Sequence, residues 1–183
     1  MREIVRTLLD GGKLSDELEV ELKKPGEQVR VVVFYVGKDT DDLSLNYKIK
    51  HLAPETISEL LVYGVLMGEA HKMLQMEIEF CRGATGAFGE EKEDVMLLSA
   101  RAQNKSLPTI LCEEESVKGV HGASVGRIDE QAVQYLMSRG LTRMNARRTL
   151  VQAKLAQGLS KIENEKLQES VKKRLETVEY NYD

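Results

Sequence analysis

Cysteine is scarce in this chain: Cys81 and Cys112 are the only two. That is too few for the disulfide framework of a small secreted domain. Residues Met1-Arg2-Glu3-Ile4-Val5-Arg6 also show no basic region leading into an apolar segment and cleavage site. Both observations point to the reducing cytoplasm. Long hydrophobic runs are missing too. The longest, Val31 to Val36 and Leu60 to Met67, fall far short of the roughly 20 residues of a membrane-spanning helix. No sign of charge dominates, since 26 basic residues stand against 30 acidic ones and the formal net charge is -4. Neither nucleic acid nor an anionic membrane would find the single-sign field it needs, so proteins or small ligands are the expected partners. The glycines of Gly86-Ala87-Phe88-Gly89 lack the G-x-x-x-x-G-K-[ST] pattern and a following helix, so the chain is not expected to hydrolyse ATP.

What is present, over 183 residues, suits one ordinary domain or a compact domain with a small annex. From about Leu18 to Val125 short segments rich in Val, Ile, Leu and Tyr are cut off by Gly, Pro, Asp or Asn, which reads as many short strands. Leu18, Val20, Leu22; Leu43, Leu45, Tyr47, Ile49; and Leu74, Met76, Ile78, Phe80 alternate with mostly polar residues, so each such strand buries one face. His51 shares the parity of Tyr47 and Ile49 and is expected to point inward as a structural histidine. Turn chemistry recurs at Pro25-Gly26, at Gly37-Lys38-Asp39-Thr40-Asp41, at Gly83-Ala84-Thr85-Gly86 and at Asn104-Lys105-Ser106. No crossover helices separate the strands, which leaves a sandwich, a barrel or a stacked-strand solenoid.

After Ile128 the pattern becomes helical. Asp129 is placed to cap a first helix over about Glu130 to Arg139, with Gly140 as its left-handed terminator. Thr142 caps a second helix ending at Gly158. Ser160 and Glu163 form a Ser-x-x-Glu box that is expected to open a third, through Leu167, Val171, Leu175 and Val178. The division expected is a β domain over 1–128 and a helical one over 129–183.

The stretch Leu97-Leu98-Ser99-Ala100-Arg101-Ala102, then Ser106-Leu107-Pro108, then Val117-Lys118-Gly119-Val120-His121-Gly122-Ala123-Ser124-Val125-Gly126-Arg127-Ile128-Asp129 closely resembles the core of the SufB/SufD family of iron-sulfur cluster assembly proteins. Tyr135-Leu136-Met137-Ser138-Arg139-Gly140-Leu141 followed by Ala146 is similar to a further family signature. The resemblance implies a mainly β fold, a right-handed parallel β-helix forming a short solenoid, followed by a C-terminal α-helical domain. It also implies a shortened version of the family's solenoid, whose exposed end coil residues Met1 to Leu9, or a partner, would have to cap.

For function, the resemblance implies a non-enzymatic scaffold subunit. Its expected partners are a SufC-type ABC ATPase, a SufB-type subunit or a second copy of itself, and apo iron-sulfur proteins as acceptors. His121 matches a family histidine implicated in cluster assembly, and with Cys112 it is a candidate ligand for iron in a transient, shared iron-sulfur cluster. Glu113, Glu114 and Glu115 follow Cys112, and stacking of adjacent coils would be needed to bring thiol, imidazole and carboxylates together. A plainer reading has His121 bonded to neighbouring backbone at the end of the last strand. The SufB branch carries a cysteine within the segment matching Ala100 to Gln103 and a glutamate where this chain has Gly122, so the chain resembles the SufD branch. Tyr135, Arg139, Gly140, Arg143 and Arg147 are the expected ATPase-docking residues, although an arginine run is ordinarily a solvated helix face. The alternative is an adaptor that binds the same partners without holding a cluster.

Overall fold

The computed structural model describes residues 1–180; residues 181–183, the end of the expected helical domain, lie outside the described residues. Nine strands come first: β1 Arg2–Leu8, β2 Lys13–Leu22, β3 Gln28–Gly37, β4 Asp42–His51, β5 Ile57–Leu66, β6 His71–Phe80, β7 Phe88–Leu97, β8 Gln103–Cys112 and β9 Lys118–Arg127. Three helices follow, α1 Glu130–Ser138, α2 Arg143–Leu159 and α3 Glu165–Glu176. Odd strands form one parallel sheet in the order β1-β3-β5-β7-β9 and even strands a second in the order β2-β4-β6-β8. Each strand therefore pairs with the next but one, and the chain winds as a parallel β-helix of about four turns. This is the solenoid among the three architectures that alternation left open.

The two sheets differ because their outer faces differ. In the even sheet, β4 and β6 alternate between buried and exposed or half-buried positions. Leu43, Leu45, Tyr47, Ile49 and Leu74, Met76, Ile78, Phe80 point inward, while Lys48 and Lys50 pair outside with Glu79 at 2.8 Å and Glu19 at 2.6 Å. In the odd sheet, β3 and β5 are buried along most of their length, since helices cover the outside as well. Val32, Phe34, Leu61 and Tyr63 form that outer layer with Val151 and Leu155 of α2 and Val171 and Leu175 of α3.

Helix boundaries depart from the sequence reading at two places. Gly158 lies inside α2, not at its end. A Cβ there would fall 2.6 Å from the Tyr63 ring and 2.7 Å from Phe34, so the glycine allows close contact between helix and sheet. The Ser160 box does not start α3. Ser160 closes α2, and Asn164 is the N-cap of α3, accepting from the Leu167 N–H at 3.1 Å. The reason is tertiary: the Glu3 carboxylate accepts the N–H groups of Glu163 and Asn164, and the Glu163 side chain pairs with Arg30. Residues 2–8 also do not cap the first coil. They form β1, which extends the odd sheet by pairing with β3.

Candidate functional site

The solenoid ends on two strands that each have one neighbour, β8 on β6 and β9 on β7. All ten positions of β9 are exposed. Inward parity on this last coil is set by register. Asn104, Ser106, Pro108, Ile110 and Cys112 continue the buried row Lys72, Leu74, Met76, Ile78, Phe80, while Gly119, His121, Ala123, Val125 and Arg127 continue Gly89, Glu91, Glu93, Val95, Leu97. His121 thus lies in the interior of β9, not at its end, over the mouth of the lumen.

Directly beneath that mouth the lumen turns polar. Glu91 and Glu93 are fully buried, as is Lys72 to within 2%. Lys72 donates to the Glu93 carboxylate and, at 3.0 Å, to Ser106. Ser106 in turn donates to Glu93, and the Tyr35 hydroxyl reaches it at 3.4 Å. Lys72 also lies over the Tyr35 ring, 5.4 Å from its centroid. Burial pulls the Lys72 ammonium below its usual range while Glu93 opposes the shift, and burial raises the Tyr35 hydroxyl well above its own. This group is internally satisfied. Glu91, one inward step earlier on β7, is not: neither of its oxygens has a hydrogen-bond partner among the described residues, and burial pushes its carboxyl up to about 8.

Register places Glu91 beside Leu60 on one side and beside His121 on the other. Cys112 is placed elsewhere. It ends β8 in register with Phe80 and is exposed, whereas Gly119, two residues before His121, faces Ile110 of β8, two residues before Cys112. The thiol and imidazole therefore share the rim but lie on different sheets and in different layers. Glu114 is engaged by two turns, accepting the Gly83 N–H of the turn one coil earlier at 3.1 Å and the Glu115 N–H of its own turn at 3.1 Å. Among the described residues no three His, Cys, Asp or Glu side chains converge as a cation site.

The candidate docking residues lie on α1 and the start of α2. Asp129 caps α1 through the Gln131 N–H, and Gly140 adopts φ +98° after its last turn, as its position in the sequence predicts. Tyr135 is 58% exposed, and the Arg139 guanidinium stacks on its ring and donates to its hydroxyl at 3.2 Å. Arg143 and Arg147 both grip Glu130 at 2.6 Å, and Arg147 is the main cause of the lowered Glu130 pKa. Tyr135, Met137 and Met144 are exposed on the same two helices.

Residues 3–154 match the family model described as SUF system FeS cluster assembly, SufBD core domain. The chain belongs to the SufBD core family. The iron-sulfur cluster assembly protein SufD of Bacillus subtilis (strain 168) is 29% identical over 171 residues, covering 93% of this chain and 38% of that protein. A SufBD family iron-sulfur cluster assembly protein of Mycobacterium leprae (strain TN) is 27% identical over 170 residues, covering 88% of this chain and 43% of the relative. Another, of Mycobacterium tuberculosis (strain ATCC 25618 / H37Rv), is 25% identical over 187 residues, covering 96% and 47%. The chain spans less than half the length of these relatives.

The polar lumen of this SufBD chain is what the sequence reading missed. Lys72, Glu91 and Glu93 break the apolar parity of inward rows, and that break is a legible signal once the register is known. In Phe88-Gly89-Glu90-Glu91-Lys92-Glu93-Asp94 no alternation survives, so β7 was hidden.

Proposed function

We propose that the chain is a SufD-like scaffold subunit of a SUF-type assembly complex. Its cargo, an iron-sulfur cluster under construction, is held transiently at the open end of the solenoid and shared with a SufB-type subunit or with a second copy of this chain. One observation carries the reading: the uncovered last coil presents His121 in its inward row above a buried polar lumen. Cys112, on the same rim, is a second candidate ligand. Two cysteines are too few for the four thiolates of an ordinary cluster, which favours a shared site. A SufC-type ATPase would dock at Tyr135, Arg139, Gly140, Arg143 and Arg147, on helices that carry exposed Tyr135, Met137 and Met144 together with arginines, residue types enriched at interfaces. Apo iron-sulfur proteins would receive the product, in a reducing, cytoplasmic setting consistent with two free thiols.

The test is co-expression with the host's SufC-type and SufB-type proteins, followed by light scattering and anaerobic visible absorption. A stable complex with sulfide-to-iron absorption is expected, and His121→Ala should lower cluster yield while leaving the unfolding temperature unchanged. A full yield from that variant would reject the site. A second reading, an adaptor that binds the same partners without a cluster, draws on the placement of Cys112 and His121 on different sheets. It predicts the complex without colour.

A further inference from the structure

Glu91 is 0% exposed and neither carboxylate oxygen has a hydrogen-bond partner among the described residues. Buried carboxyl groups are almost always bonded or paired, because removing one from water without compensation is strongly unfavourable. The cation that could have served it, Lys72, is committed to Glu93 and Ser106. On one side Glu91 meets Leu60, which offers nothing; on the other it is in register with exposed His121, on the same inward row of a parallel pair. Adjacent strands lie roughly 4.8 Å apart, a spacing at which an imidazole and a carboxylate can grip one ion between them.

We infer that Glu91 and His121 form a two-residue cradle for a divalent first-row transition-metal cation. Glu91 supplies the carboxylate from beneath the rim and His121 the imidazole from the rim itself. This rests on the proposed function, in which the ion is ferrous iron on its way into a cluster, and it adds a residue of this chain that acts from within the lumen. One carboxylate and one imidazole suit Fe(II), Mn(II), Co(II) and Zn(II). Two protein ligands leave coordination positions open on the solvent side, toward the edge of β9. An ion held this way is accessible to a subunit laid against that edge and is readily passed on.

The experiment is a Co(II) titration of the whole chain followed by visible absorption, on wild type, Glu91→Gln, His121→Ala and, as a control, Glu90→Gln, whose side chain has outward parity. Wild type and Glu90→Gln are expected to bind one Co(II) alike, and each of the other two variants about tenfold or more weakly. Glu91→Gln is nearly isosteric and removes an unpaired buried acid, so it should fold. If it does not, Glu91→Asp serves instead and should weaken binding without abolishing it. Wild-type affinity in the Glu91 variants, or no Co(II) binding by the native chain, would overturn the cradle. If the cradle fails and the co-expressed complex still accumulates cluster in a His121-dependent way, the assembly reading stands alone. If Co(II) binds through both residues while no complex or cluster forms, the cradle stands and the assembly role falls.

Discussion

His51 sits wholly inside the solenoid, with Nδ1 2.7 Å from the Thr56 hydroxyl and Nε2 2.8 Å from that of Ser58. Its tilted stack on Phe80, 4.7 Å between centroids, completes the burial of the ring. Burial therefore holds its pKa at about 4, below the ordinary 6.5. The neutral ring's contribution to stability is complete above pH 6.5 and is lost as pH falls toward and through 4. That is about 3 kcal/mol in all. Glu91 acts in the opposite sense, its buried acid favouring the fold below pH 4.5 and less so as pH rises to about 8. The comparison that isolates His51 is urea unfolding of wild type and His51→Gln at pH 7, 5.5 and 4. The gap between them should shrink toward low pH; a constant gap would place the imidazole outside the acid response. His51 was legible because its neighbours Tyr47 and Ile49 alternate cleanly. Glu91 was not, because inward parity on β7 belongs to acids as well as to Val95, and a charge in a short sequence window reads as solvated.

Strand β5 shows how an element is shaped by its neighbour one coil away. Gly64 pairs with Tyr35 in register, and a Cβ at Gly64 would lie 1.9 Å from the Tyr35 ring. The glycine is the space the aromatic ring fills, and the ring carries its hydroxyl to Glu93 beneath the open end. Gly64→Ala should overpack the lumen and destabilise by about 3 kcal/mol, read by urea unfolding. Tyr35→Leu in the same chain should return part of that loss, since the two side chains compete for one volume. Purely additive losses would show that the ring and the glycine do not interact. Helices α1 and α2 were legible from Asp129, Thr142 and their apolar spacing, because local caps set their starts. The start of α3 was not. The carboxylate that takes the Glu163 and Asn164 N–H groups belongs to Glu3, at the other end of the chain.

At the scale of the whole molecule, coils begin at residues 28, 57, 88 and 118 in the odd sheet, and their turns stack by backbone bonds from Gly26 to Pro54, Glu55 to Thr85 and Gly86 to Ser116. The repeat is one of position and hardly of residue type, which is why alternation alone left sandwich, barrel and solenoid open and only the family motifs chose between them. The consequence of the stack is asymmetric. Helix α3 and its flanks reach β1 through Glu3 and Thr7 and the turn after it through Asp10, while β9 is exposed at every position among the described residues. Val120 is 39% and Val125 48% exposed on a ten-residue edge. An unprotected apolar edge of that length takes up a further strand. The isolated chain should therefore pair through β9, and light scattering should report a dimer whose mass halves in Val120→Lys/Val125→Lys, lysine being the usual guard of such edges. A dimer indifferent to both lysines would be held by another surface. A wild-type monomer would mean that the edge is shaped for a different subunit, and the same two lysines should then abolish binding of the proposed SufB-type partner while leaving binding of the proposed ATPase partner, assigned to α1 and α2, unchanged.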